Sequence, residues 1–99
     1  MKLKVQSIHF DADQVLLDFI QLKMNKLKQY FDGILTGEVF LRLEKNKIAD
    51  NKVVEIKLHI PGNELFVKEQ CKTFEEATDL AVESLTRQIT KHKEKMRRE

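Results

Sequence analysis

The chain has 99 residues, of which 41% are apolar and 34% charged, and a formal net charge of +2. That length encloses one modest core, so a single domain over residues 1–99 is expected, with too little apolar surface for a large small-molecule pocket. The lone Cys71 excludes an intramolecular disulfide, there is no Cys/His cluster for zinc, and no apolar run reaches the length of a signal peptide or a membrane span. A cytoplasmic protein is therefore expected.

Leu3 and Val5 alternate with Lys2, Lys4 and Gln6, a period of two that predicts a strand over residues 2–9. Asp11 or Asp13 can then cap a helix by accepting free N–H groups of its first turn. Leu16, Ile20, Met24, Leu27 and Phe31 follow as one apolar stripe at helical spacing, ending near Gly33. Residues 38–44 and 53–60 alternate again, with Val39, Leu41 and Leu43, then Val54, Ile56, Leu58 and Ile60, on the buried faces of two strands. KNKIADN between them is too long for a tight hairpin and predicts a mobile basic loop.

The PGN at 61–63 predicts a tight turn into a fourth strand over residues 64–71. Thr73 and Glu76 form a capping-box pattern, and Phe74, Ala77, Ala81, Leu85 and Ile89 mark the core stripe of a long second helix. After Ile89 that stripe lapses until Met96, so the last two turns are expected to project. The order β-α-β-β-β-α predicts an α+β fold, with two helices packed on one face of a four-stranded sheet. The other face would show Lys2, Lys4, Glu55, Lys57 and His59 to solvent.

Charge is unevenly distributed along the second helix. Residues 73–84 hold Glu75, Glu76, Asp79 and Glu83 and no base, whereas residues 87–98 hold six Lys or Arg against Glu94. Both placements favour the helix dipole, which alone would account for a solvated helix end. Helical spacing also puts Arg87, Lys91, Lys95 and Arg98 on one face, flanked by Lys93 and Arg97, a row able to track a phosphate backbone. Lys23 and Lys26, with Lys28 and a stackable Tyr30 nearby, would add a second basic row from the first helix.

Other chemistry is poorly supported. His9, Asp11 and Asp13 have metal-ligand chemistry, but a strand end followed by a helix cap accounts for them more simply. Cys71 has no neighbouring base in the sequence and reads as a buried strand-end residue, and His59 as a surface one. Phosphate-loop, GxSxG and HExxH motifs are absent, so neither an enzyme, a metal nor a cofactor is expected.

KLKQYFDGI at 26–34, the strand ending LRLEK, the TFEEATDLAVESL stretch and RQITKHKEK at 87–95 together resemble the ribosome hibernation promoting factor and protein Y family. The resemblance covers essentially the whole chain, and Arg-Gln-x-x-Lys-His-Lys-x-Lys is its most specific element. It implies a β-α-β-β-β-α fold similar in outline to a double-stranded RNA-binding domain. It also implies a non-catalytic inhibitor of translation that occupies the mRNA and tRNA channel of the small ribosomal subunit under stress or in stationary phase.

Carried over, the RNA contacts would be Lys23, Lys26 and Lys28 on the first helix and Arg87, Lys91, His92, Lys93, Lys95, Arg97 and Arg98 on the second. Arg42 and Lys45 would stand at the rim, and Tyr30 would stack beside the row of the first helix. Gly33, where members of the family carry a larger polar residue, departs from the pattern without altering the implied RNA surface. Ending at Glu99, the chain resembles the short form of the family, for which pairing of ribosomes would call on a second factor.

Overall fold

The computed structural model describes residues 1–45 and 48–97, with side chains to residue 95 in the last helix. The elements are β1 (Lys2–Ile8), α1 (Gln14–Tyr30), β2 (Thr36–Leu43), β3 (Lys52–Ile60), β4 (Asn63–Cys71) and α2 (Phe74–Arg97), the predicted α+β order. The four strands make one sheet in the order β1-β2-β3-β4. β1 runs parallel to β2, with Lys2 opposite Thr36 and Ile8 opposite Arg42, while β2, β3 and β4 are antiparallel neighbours. A parallel pair needs a crossover, and α1 supplies it. Between β3 and β4, Ile60 faces Asn63 across Pro61-Gly62, and Gly62 at φ 76 takes the left-handed position that a type II turn reserves for glycine.

The helix starts follow from side-chain chemistry. Asp13, of the two candidate caps, accepts the Leu16 N–H at 2.8 Å, and Thr73 Oγ1 accepts the Glu76 N–H at 3.0 Å. From α1, Leu16, Ile20, Met24 and Leu27 enter the core, and from α2 Phe74, Ala77, Ala81, Leu85 and Ile89. They meet Val39, Leu41, Val54, Ile56, Leu58, Ile60, Leu65 and Val67 of the sheet, so both helices cover one face. Phe10 stacks on Phe74 with ring centroids 5.2 Å apart, closing the end where α2 begins.

Two residues depart from simple alternation. Leu43 is 41% exposed, because it is the last residue of β2, paired with Lys52 at the loop end of the sheet. Val53 points to the open face yet is fully buried. It is flanked by Arg42, ion-paired with Glu55 at 2.7 Å, and by Gln70, which donates to the Asp50 carbonyl at 2.9 Å. The neck of the β2–β3 loop is closed by the Glu44 N–H donating to Asn51 O at 2.8 Å. The mobility expected of that loop concerns in part residues 46 and 47, which lie outside the described residues.

Candidate nucleic-acid interface

The two helices lie side by side and run in the same direction. Lys23 pairs with Asp79 at 3.0 Å, and further along the Tyr30 hydroxyl meets Thr90 Oγ1 at 2.6 Å. Lys93 completes the junction by donating to the Tyr30 carbonyl at 3.1 Å, with its ammonium 4.3 Å from the Tyr30 ring centre and 5.7 Å from that of Phe31. Phe31 in turn meets the His92 ring edge-on at 6.2 Å. The turn after Ile89, expected to project, is thus docked on the end of α1 by aromatic and polar contacts. Hydrophobic periodicity cannot register those.

Gly33 belongs to the same junction. A Cβ there would fall 2.6 Å from Phe31 Cζ, so the absence of a side chain lets the ring lie where His92 meets it. Gly33 therefore borders the basic row.

The cations sort into engaged and free. Lys28 turns back on the end of α1, donating to the carbonyls of Asp32 and, at 3.2 Å, Ile34; it neutralises the negative end of the helix dipole. Lys23 is neutralised by Asp79, and Lys93 spans the helix junction. Arg87 meets Glu83 at 3.5 Å with both side chains about two-thirds exposed, a pairing that water largely screens. Lys26, Lys91 and Lys95 are exposed and have neither an ion pair nor a hydrogen bond among the described residues. The Arg97 side chain and Arg98 lie outside the described residues.

Strand direction separates the rim candidates from this row. Arg42 and Lys45 are at the end of β2 where α1 and α2 begin, and Arg42 lies on the open sheet face. Lys91, His92, Lys93 and Lys95 are at the opposite end, beside the β3–β4 turn. The structure brings Tyr30 together with Lys93, Lys91 together with His92 and Lys95, and Arg87 beside Lys91, and leaves Arg42 and Lys45 at the other end. Two further residues join the basic end, Asn63 and Gln88, which line a recess with Lys91, His92 and Lys95. Sequence reasoning registered Asn63 only as part of a turn, since no periodicity links a hairpin to a helix 25 residues later.

The remaining candidates have structural roles. Asp13 is the α1 cap, His9 sits at φ 63 in the turn before it, and no group of three or more metal-ligating side chains exists among the described residues. Cys71 is buried, and its thiol pKa is raised by desolvation first and then by Glu76, Glu69 and Asp50, the reverse of an activated nucleophile. Among the described residues no helix is long and apolar enough to cross a membrane.

Comparison with known proteins gives a consistent result. A family described as Sigma 54 modulation protein / S30EA ribosomal protein matches residues 3–97. The ribosome hibernation promoting factor of Escherichia coli K12 is 30% identical over 97 residues, spanning 98% of each chain. That of Azotobacter vinelandii is 30% identical over 95 residues, 96% of this chain and 85% of its own. Among solved structures, the Thermus thermophilus Protein Y N-terminal domain superposes with a TM-score of 0.79 at 27% identity, covering 93% of this chain and 99% of that one. A ribosomal subunit interface protein from Coxiella burnetii shares the fold, with a TM-score of 0.85 at 18% identity over 94% of this chain and 98% of its own.

Proposed function

We propose that this chain, which belongs to the sigma 54 modulation protein / S30EA ribosomal protein family, is a ribosome hibernation factor that binds the small ribosomal subunit through its RNA. The observation that carries the reading is the basic end of the helix pair. Lys26, Lys91 and Lys95 are exposed with no partner among the described residues, and Arg87 is only weakly paired, within a chain similar over its length to ribosome hibernation promoting factors.

Cations at helical spacing can follow successive phosphates, and each phosphate they neutralise releases condensed counterions. Such contacts read backbone position and groove shape more than base identity, as suits a fixed site on folded RNA. The site proposed is the mRNA and tRNA channel, where occupancy alone silences the ribosome in stationary phase or under stress, in the cytoplasm and with no bond made or broken. Lys23, Lys28, His92, Lys93, Tyr30, Arg97 and Arg98 complete the proposed surface, the first two once released from their internal partners. Arg42 and Lys45 would reach RNA only on a second side of the protein.

The test is co-sedimentation with small subunits and whole ribosomes over a salt series. Binding should weaken steeply with salt and be lost when Lys91, Lys93 and Lys95 are all changed to Glu; undiminished binding by that triple variant refutes the reading. A second reading, a protein-docking module, is favoured by Phe66, 51% exposed on the open sheet face. It predicts cellular complexes that survive ribonuclease.

A further inference from the structure

The recess between the end of α2 and the β3–β4 turn has a composition unlike the rest of the surface. It measures 240 Å³ and is lined by Asn63, Gln88, Lys91, His92 and Lys95, with no carboxylate among them. Since a water's share of liquid volume is about 30 Å³, it has room for a phosphate group and its first waters. Two acids adjoin the lining residues in sequence: Glu64, engaged on the open face by His59 at 3.3 Å and Lys57 at 3.9 Å, and Glu94, which lines a separate recess with Arg87 and Lys91.

Two of the side chains around the recess are fixed by hydrogen bonds to the backbone. Asn63 Oδ1 accepts the Glu64 N–H at 2.8 Å, which fixes the carboxamide and leaves its two Nδ2 protons for another acceptor. Gln88 Nε2 is tethered to the Phe66 carbonyl at 3.3 Å, holding one wall in place. His92 lines the recess with its ring, and its Nε2 is shielded from solvent without a hydrogen-bond partner among the described residues.

We infer that this recess seats one phosphate of an RNA backbone between Lys91 and Lys95, with the Asn63 amide and the His92 ring as the walls that define its position. The inference rests on RNA being the partner and adds the β3–β4 turn to the interface. It separates Lys91 and Lys95, which converge on one phosphate, from Lys26 and Arg87, which meet others as isolated charges. A seat of this kind sets the register of the helix on the backbone, something a row of mobile lysines cannot do.

The decisive variant is Asn63→Asp, which keeps the Oδ1 acceptor for Glu64 N–H and replaces the donor by an anionic oxygen. The full chain is titrated with inorganic phosphate at constant ionic strength while the Asn63 side-chain amide and His92 ring are followed by NMR, and affinity for purified small subunits is measured in parallel. Saturable shifts at Asn63 and His92, absent in N63D, together with at least a tenfold loss of ribosome affinity, are expected; Asn63→Ala should lose about threefold. Ribosome binding by N63D equal to the unaltered chain, or shifts that drift without saturation over all lysines, overturns the seat and leaves the hibernation reading standing. Saturable, N63D-sensitive phosphate shifts in a chain that binds no ribosome would do the opposite.

Discussion

Replacing Lys91 and Lys23 by Ala, each alone, tests whether the internal partners seen here govern which cations act on RNA. Lys91 is exposed and has no partner among the described residues, so each phosphate it neutralises releases counterions and adds about 0.7 to 0.9 to the slope of log affinity against log salt. Over a fourfold change in salt, about 0.6 log units, that slope corresponds to roughly a threefold change in affinity per cation. Lys23 lies 3.0 Å from Asp79, and the pair has no net charge. Even if a phosphate draws Lys23 away, Asp79 is left needing a counterion, and the net release is close to zero.

With side chains 28% and 52% exposed, the pair itself contributes only about 0.2 to 1 kcal/mol, so K23A should leave the fold intact. Binding of labelled protein to small subunits at several salt concentrations should show a shallower slope for K91A and an unchanged one for K23A. Asp79→Asn, which liberates Lys23, should steepen it. Equal losses of slope in K91A and K23A would show that sorting cations by their internal partners has no bearing on RNA binding.

Gly33→Ala forces the Phe31 ring out of its place and should cost about 1 to 3 kcal/mol, read as a lower urea midpoint and altered His92 ring signals. Tyr30→Phe removes the 2.6 Å hydroxyl contact with Thr90, which should cost about 0.5 to 1.5 kcal/mol, with faster amide exchange confined to the last turns of α2. Leu85→Ala, at a fully buried position between α2 and the sheet, should cost about 2 to 5 kcal/mol by thermal denaturation. The raised thiol pKa of Cys71 gives a signed prediction. The unfolded thiol ionises near pH ~8.5 and the folded one higher, so its contribution is complete below that value and declines as pH rises through the folded pKa. Between pH 7 and 10 the unaltered chain should therefore lose more stability than C71A, and equal losses would contradict the assignment.

Local signals in the chain were sufficient for the elements. The stripe Leu16, Ile20, Met24, Leu27, the alternation from Val53 to Ile60, and caps at Asp13 and Thr73 each depend on residues a few positions apart, and each gave the element observed. The opposed charges of α2 were legible for the same reason. Leu43 and Val53 were not, because cover at the end of a strand comes from side chains of neighbouring strands.

The candidate site divides along the same line. Sequence periodicity placed Arg87, Lys91 and Lys95 on one face of α2, since spacing alone determines that. It could not tell that Lys23 is neutralised by Asp79, that Lys28 closes its own helix, or that Lys93 lies over Tyr30. The first and last arise from the parallel docking of α1 on α2, which brings together residues more than fifty positions apart, and the Lys28 contact from the path the chain takes after α1 ends. Ranking a cation depends on the charges around it in space. The sequence by itself therefore determined where positive charge accumulates, and only the tertiary structure decided which of it remains available and that Asn63 stands beside it.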